Sequence, residues 1–140
     1  MNSTPSTGPD ARVVHGLAFE GNDPGRIVGF DIGGTKCAVS RIRDGAVEES
    51  ARMDTREFTS TFGALADAAQ CVMPENPVIG ISCGGPLDAV RGIILSPPNL
   101  HPSWHGVEIT RLLTERFGGR AMLMNDANAC ALAEWRLSRR

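Results

Sequence analysis

The sequence predicts an α/β fold built on a partly parallel sheet, and three observations carry that prediction. Short apolar runs of strand type recur, at "RIVGFDI", "PVIGIS" and "RAMLM". Segments with apolar residues at helical spacing lie between and after them. Each of three polar clusters follows directly on one of these runs, and alternation of strand and helix places such loops at one edge of a sheet.

Along the chain, residues 1–25 are rich in Ser, Thr, Pro and Gly and end in "GNDPG". They read as a flexible leader with one short ordered piece at "RVVHGLAF". From Arg26 the pattern tightens. "RIVGFDI", "KCAVSRI" and "AVEESARM" are three neighbouring antiparallel strands, the last two joined at Asp44-Gly45, a strong hairpin signal. Phe58, Phe62, Leu65, Ala66, Ala69 and Val72 then mark a helix. Asp54 and Glu57 are its expected capping box and Pro74 its stop.

"PVIGIS" is the next buried strand and runs into the turn-rich "CGGPLD". "AVRGIIL" reads as strand-turn-strand around Arg91-Gly92. "SPPNLHPSWHG" is too rich in proline for regular structure. Ile109, Leu112, Leu113 and Phe117 define a second amphipathic helix, closed by Gly118-Gly119. "RAMLM" is a strand, and "NDANACALAEWRL" opens a helix with Asn125 or Asp126 as its cap.

Composition narrows the function. The 140 residues carry a formal net charge of -2, too acidic to draw nucleic acid by charge. Hydrophobic residues make up 41%, enough for a core, and with no tyrosine aliphatic side chains must fill most of it. No apolar run approaches the ~20 residues of a membrane span, and the first residues lack the basic start and apolar stretch of a signal peptide. Cytoplasm is the expected location. Cys37, Cys71, Cys83 and Cys130 form no C-x-x-C pair, so they are expected as reduced, buried thiols rather than zinc ligands. His15, His101 and His105 carry no metal pattern.

Three clusters could carry chemistry. In "GFDIGGTKCAV" the spacings of the P-loop and of the dinucleotide fingerprint are both absent. What remains is Asp31 at a strand end, then Gly33, Gly34, Thr35 and Lys36. Adjacent glycines let backbone N–H groups approach phosphate oxygens, and Asp31 could hold Mg²⁺ through water. A glycine turn with a capping aspartate explains the same residues. "CGGPLD" suits a loop around a small ligand, or an ordinary tight turn. The Asn125-Asp126 pair suits proton acceptance and hydroxyl binding, or a helix cap.

Taken together and in this order, "FDIGGTKCAV", "GISCGGPLD", "LSPPNLHPSWHG" and "MNDANACALAEW" resemble the ROK family, the repressor/ORF/kinase group of bacterial sugar kinases. The resemblance runs from about Ile27 to the last residue. It implies a sugar kinase/actin-like ATPase (ribonuclease H-like) fold of two α/β domains around a cleft. Residues 26–140 would be the N-terminal domain, stopping in the helix after the catalytic aspartate, with the C-terminal domain and the family's zinc site absent.

The resemblance further implies ATP and Mg²⁺, with Gly33, Gly34, Thr35 and Lys36 at the phosphates and Asp31 assisting the metal through water. It implies Asp126 as catalytic base, Asn99 and Asn125 on sugar hydroxyls, and Gly85 and Pro86 in the sugar loop. Gly84-Gly85-Pro86 stands where the family has Pro-Gly-Pro, so a looser loop is expected. The implied reaction is phosphoryl transfer to the 6-OH of a hexose, glucose being the commonest substrate of the pattern. Half a cleft lacks a wall against water, so the 140 residues alone are expected to be weak or inactive and prone to association with a second copy or a missing domain. The alternatives are a non-catalytic sugar-binding or regulatory fragment and a transcriptional repressor. With only a short, turn-rich leader before Asp31, the repressor's winged helix is not expected.

Overall fold

The computed structural model describes residues 13–14, 17–18, 26–43 and 46–126. Most of the leader with His15, the expected turn at Asp44-Gly45, and the expected final helix with Cys130 lie outside the described residues. Within the leader, β1 (Val13–Val14) and β2 (Leu17–Ala18) form an antiparallel pair.

The body is a five-stranded mixed sheet of β3 (Ile27–Ile32), β4 (Lys36–Arg43), β5 (Ala46–Asp54), β6 (Val78–Cys83) and β9 (Arg120–Asn125), in the order β5-β4-β3-β6-β9. β3, β4 and β5 pair antiparallel, while β6 runs parallel to both β3 and β9. The expected antiparallel trio and the parallel second half are therefore both present. The two parallel joins need crossovers. These are α1 (Phe58–Gln70) and α2 (Ile109–Phe117).

Strand alternation puts Val28, Phe30, Ile32, Cys37, Val39, Ile79, Ile81, Cys83 and Leu123 on one face. There they form a buried core with Leu65 and Ala69 of α1 and Ile109 and Leu113 of α2. The opposite face shows Gly29, Asp31, Ala38, Ser40, Gly80, Ser82, Met122 and Met124 around a shallow hollow.

Two expectations are corrected. The capping box at Asp54 does not form. β5 runs on through Asp54, whose carboxylate pairs with Lys36 across the ladder. Glu57 is itself the N-cap, and its side chain accepts from the Ser60 N–H at 2.9 Å. Cys71 is exposed, not buried, because it caps the C-terminus of α1. Cys37 and Cys83 are buried as expected. Gly118 and Gly119 end α2 with φ of 76° and 73°, the left-handed conformations a glycine pair adopts without a Cβ penalty.

The "AVRGIIL" turn closes a small hairpin of β7 (Leu87–Asp88) and β8 (Ile93–Ile94). The proline-rich loop that follows holds one 3₁₀ turn, Pro102–Trp104. Trp104 is fully buried, and its Nε1 donates to the Arg56 carbonyl at 2.9 Å. Phe58 meets the indole edge-on at 5.1 Å, a contact worth ~0.5–1.5 kcal/mol beyond burial. The Ser103 hydroxyl accepts from the Phe58 N–H at 2.8 Å and so satisfies a first-turn donor of α1. His101 Nδ1 is hydrogen-bonded to the Ser103 hydroxyl and accepts from the Ser103 N–H at 3.0 Å.

Candidate active site

Parallel register puts Ile32, Cys83 and Asn125 on one row, so the loops after β3, β6 and β9 leave the sheet at the same edge. The three polar clusters therefore converge.

The first loop, Gly33 to Thr35, closes the β3–β4 hairpin, with the Gly33 N–H donating to the Lys36 carbonyl at 3.0 Å. Thr55, just beyond β5, pins it from outside. Its N–H donates to the Thr35 carbonyl at 2.9 Å, and its hydroxyl donates to the Gly33 carbonyl at 2.8 Å. With that hydrogen spent, the Cys37 thiol, 3.0 Å away, is the donor to the Thr55 oxygen. The N–H groups of Gly34 and Thr35 carry no hydrogen bond among the described residues. Two free donors at a pinned glycine turn form a ready anion cradle.

Asp31 is exposed on the open sheet face and accepts a hydrogen bond from Ser82 Oγ at 3.0 Å through Oδ1. Lys36 is exposed too, its ammonium held by Asp54. That contact keeps the Asp54 carboxyl below the usual aspartate range.

Gly34 sits hard against the proline-rich loop. A Cβ there would lie 2.9 Å from Asn99 Nδ2 and 3.1 Å from both the Cβ and the carbonyl oxygen of Asn99. At Gly84 a Cβ would lie 3.7 Å from either polar atom of the Asn99 amide and 3.8 Å from Asp126 Oδ2. At Gly85 it would lie 3.0 Å from Asn125 Nδ2. Gly34, Gly84, Gly85, Asn99, Asn125 and Asp126 thus border one small space. Pro86 follows a cis peptide bond from Gly85, and its carbonyl accepts from the Leu95 N–H at 3.1 Å. Burial, with the Asp126 charge second, pushes the Cys83 thiol up to about 12. Burial also raises Cys37. Both stay protonated and serve as packing.

Every predicted site residue lies at this edge. The sequence reading missed Thr55 and Ser82. Ser82 was open to discovery, since it occupies the outward-facing position in a strand paired to Asp31. Thr55 carried no such signal.

Residues 27–140 match the ROK family. The chain belongs to the ROK family. Among its relatives is the glucokinase of Thermotoga maritima, 32% identical over 115 residues, which cover 78% of this chain and 36% of that protein. A ROK hexokinase from Thermus thermophilus superimposes with a TM-score of 0.67 at 36% identity, over 77% of this chain and 37% of the hexokinase. A ROK family transcriptional regulator, a homologue of the E. coli MLC protein, superimposes at 0.64 over 81% of this chain and 31% of its own, but at 16% identity this speaks for the fold alone. The ROK chain thus has the α/β fold of the sugar kinase/actin-like ATPases and spans about a third of the length of these relatives. Among its described residues no helix is long and apolar enough to cross a membrane.

Proposed function

We propose that this ROK chain supplies the phosphate turn and the catalytic base of an ATP-dependent hexose kinase. One observation carries the reading: Gly84 brings Asn99 and Asp126 together, while the same Asn99 packs on Gly34 of the turn. An amide, a carboxylate and a glycine turn with two unbonded N–H groups thus meet at one edge of the sheet.

In this reading Asn99, Asn125 and the Gly85-Pro86 segment bind sugar hydroxyls. Asp126 accepts the proton of the 6-OH as that oxygen bonds to the γ-phosphorus and ADP leaves. The N–H groups of Gly34 and Thr35, with Lys36, bind the phosphate oxygens of ATP. Among the described residues no cluster of three or more His, Cys, Asp or Glu could hold a metal. Asp31, exposed and with Oδ1 accepting from Ser82, is the residue that would hold a hydrated Mg²⁺. Bound there, the ion would neutralise charge on the phosphate chain. Glucose is the proposed sugar, in line with the glucokinase relative.

The test is Asp126→Asn in the full-length gene product. Hexose binding is expected to persist while sugar-dependent ADP release falls by about 10²–10⁴. Turnover near the wild-type rate would remove Asp126 from the mechanism.

A further inference from the structure

Three cations stand at the outer corner of the phosphate turn: Lys36, Arg52 and Arg56. Two are already engaged, since Lys36 and Arg56 both contact Asp54. The Arg52 side chain is exposed and makes no ion pair or hydrogen bond among the described residues. It borders a surface hollow with Lys36, Met53 and Asp54.

The ladder fixes where Arg52 stands. It is opposite Ala38, Ala38 is opposite Asp31, and Asp31 is opposite Ser82. Met53 belongs to the core face, so alternation places Arg52 on the open face with Asp31. Across that face one row reads guanidinium, methyl, carboxylate, hydroxyl. With strands ~4.8 Å apart, the Arg52 and Asp31 backbones are about 10 Å apart, with a single methyl between them. The adjoining row carries Lys36, next to the free N–H groups of the turn.

We propose that Arg52 and Lys36 form a phosphate subsite beside the turn that takes the phosphate chain of the phosphoryl donor as its divalent-metal complex. A guanidinium with unused donors matches phosphate oxygens in a bidentate fork. The Asp31 carboxylate on the same row repels a bare polyanion and favours one loaded with Mg²⁺, so the subsite selects the complex over the free anion. Arg52 is here a donor-specificity residue and leaves hexose binding untouched. The naming of the ligand as a donor rests on the kinase reading; the phosphate binding does not.

The test is calorimetric titration of the full-length gene product with tripolyphosphate, with ATP and with long-chain inorganic polyphosphate, each with and without MgCl₂. Arg52→Ala is expected to weaken tripolyphosphate binding about tenfold, the loss of a charge-assisted contact. Arg52→Lys should restore part of it. Arg116→Ala, on α2 behind the sheet, should stay within about twofold as a control for net charge. Equal losses for ATP and the inorganic polymer assign the subsite to the shared phosphate chain, and a loss for one alone names the source. Two results overturn the proposal: no tripolyphosphate binding by the wild type, or Arg52→Ala binding all three ligands as the wild type does. If the wild type binds tripolyphosphate but releases no ADP with any hexose, the kinase reading fails and the subsite stands.

Discussion

Replacing Gly34 with alanine tests the junction between the glycine turn and the proline-rich loop. The added methyl would lie 2.9 Å from Asn99 Nδ2 and 3.1 Å from its Cβ and carbonyl oxygen. Carbon contacts are comfortable at about 3.5–4.0 Å, so roughly half an ångström must be found. A rotation of the Asn99 amide cannot supply it, because one of the three contacts is backbone. Overpacking of this kind costs about 1–3 kcal/mol. Gly63 provides the control. It lies within α1, and a Cβ there meets nothing within 4 Å. Gly63→Ala should therefore gain about 0.5–1 kcal/mol from helix propensity. Both variants stiffen the unfolded chain alike, so their difference isolates the packing at Asn99. Urea unfolding followed by tryptophan fluorescence should separate them by about 2 kcal/mol or more. Hexose affinity should fall in Gly34→Ala alone, since Asn99 must move. Stabilities within about 0.5 kcal/mol of each other, or an unchanged hexose affinity, would refute the contact.

Two other predictions follow from the same edge of the sheet. Thr55→Val keeps the shape of the residue but removes the donor to Gly33 and the acceptor for Cys37, and should cost about 1–3 kcal/mol in urea unfolding; a loss below about 0.5 kcal/mol would show that the pin is not structural. The raised Cys83 and Cys37 thiols set an alkaline limit. Above the ordinary thiol range the unfolded chain loses these protons while the folded chain keeps them, so stability should decline from about pH 9 towards pH 12. Cys83→Ala should flatten that decline, and mass mapping after iodoacetamide at pH 8 should find Cys71 modified and Cys37 and Cys83 protected.

The strand trio was legible because alternation and a two-residue turn are local signals. The three loops were legible because glycine, proline and asparagine clusters punctuate apolar runs. Long-range bonds were not. Thr55 reaches Gly33 across 22 residues, Ser82 reaches Asp31 across 51, and Trp104 reaches Arg56 across 48. No local pattern announces such pairs. The helix start was misjudged for a related reason: Lys36 on the neighbouring strand claims Asp54, so the cap passes to Glu57. Arg52 drew no notice because an exposed arginine in a charged strand resembles any other. Only the register, which sets it one methyl from Asp31, gives it meaning.

The proline-rich loop is clamped along its length. Its two ends are tied together by the bridge from Ile94 to Val107, its middle by buried Leu100, and its far side by Trp104 and by the Ser103 bond to the start of α1. A segment held in this way is a fixed wall and cannot serve as a swinging lid. If Asn99 binds sugar as proposed, it does so already in place, and little ordering entropy would be lost on binding. In the proposed kinase, any enclosure of the substrates would then have to come from movement of other parts towards this wall.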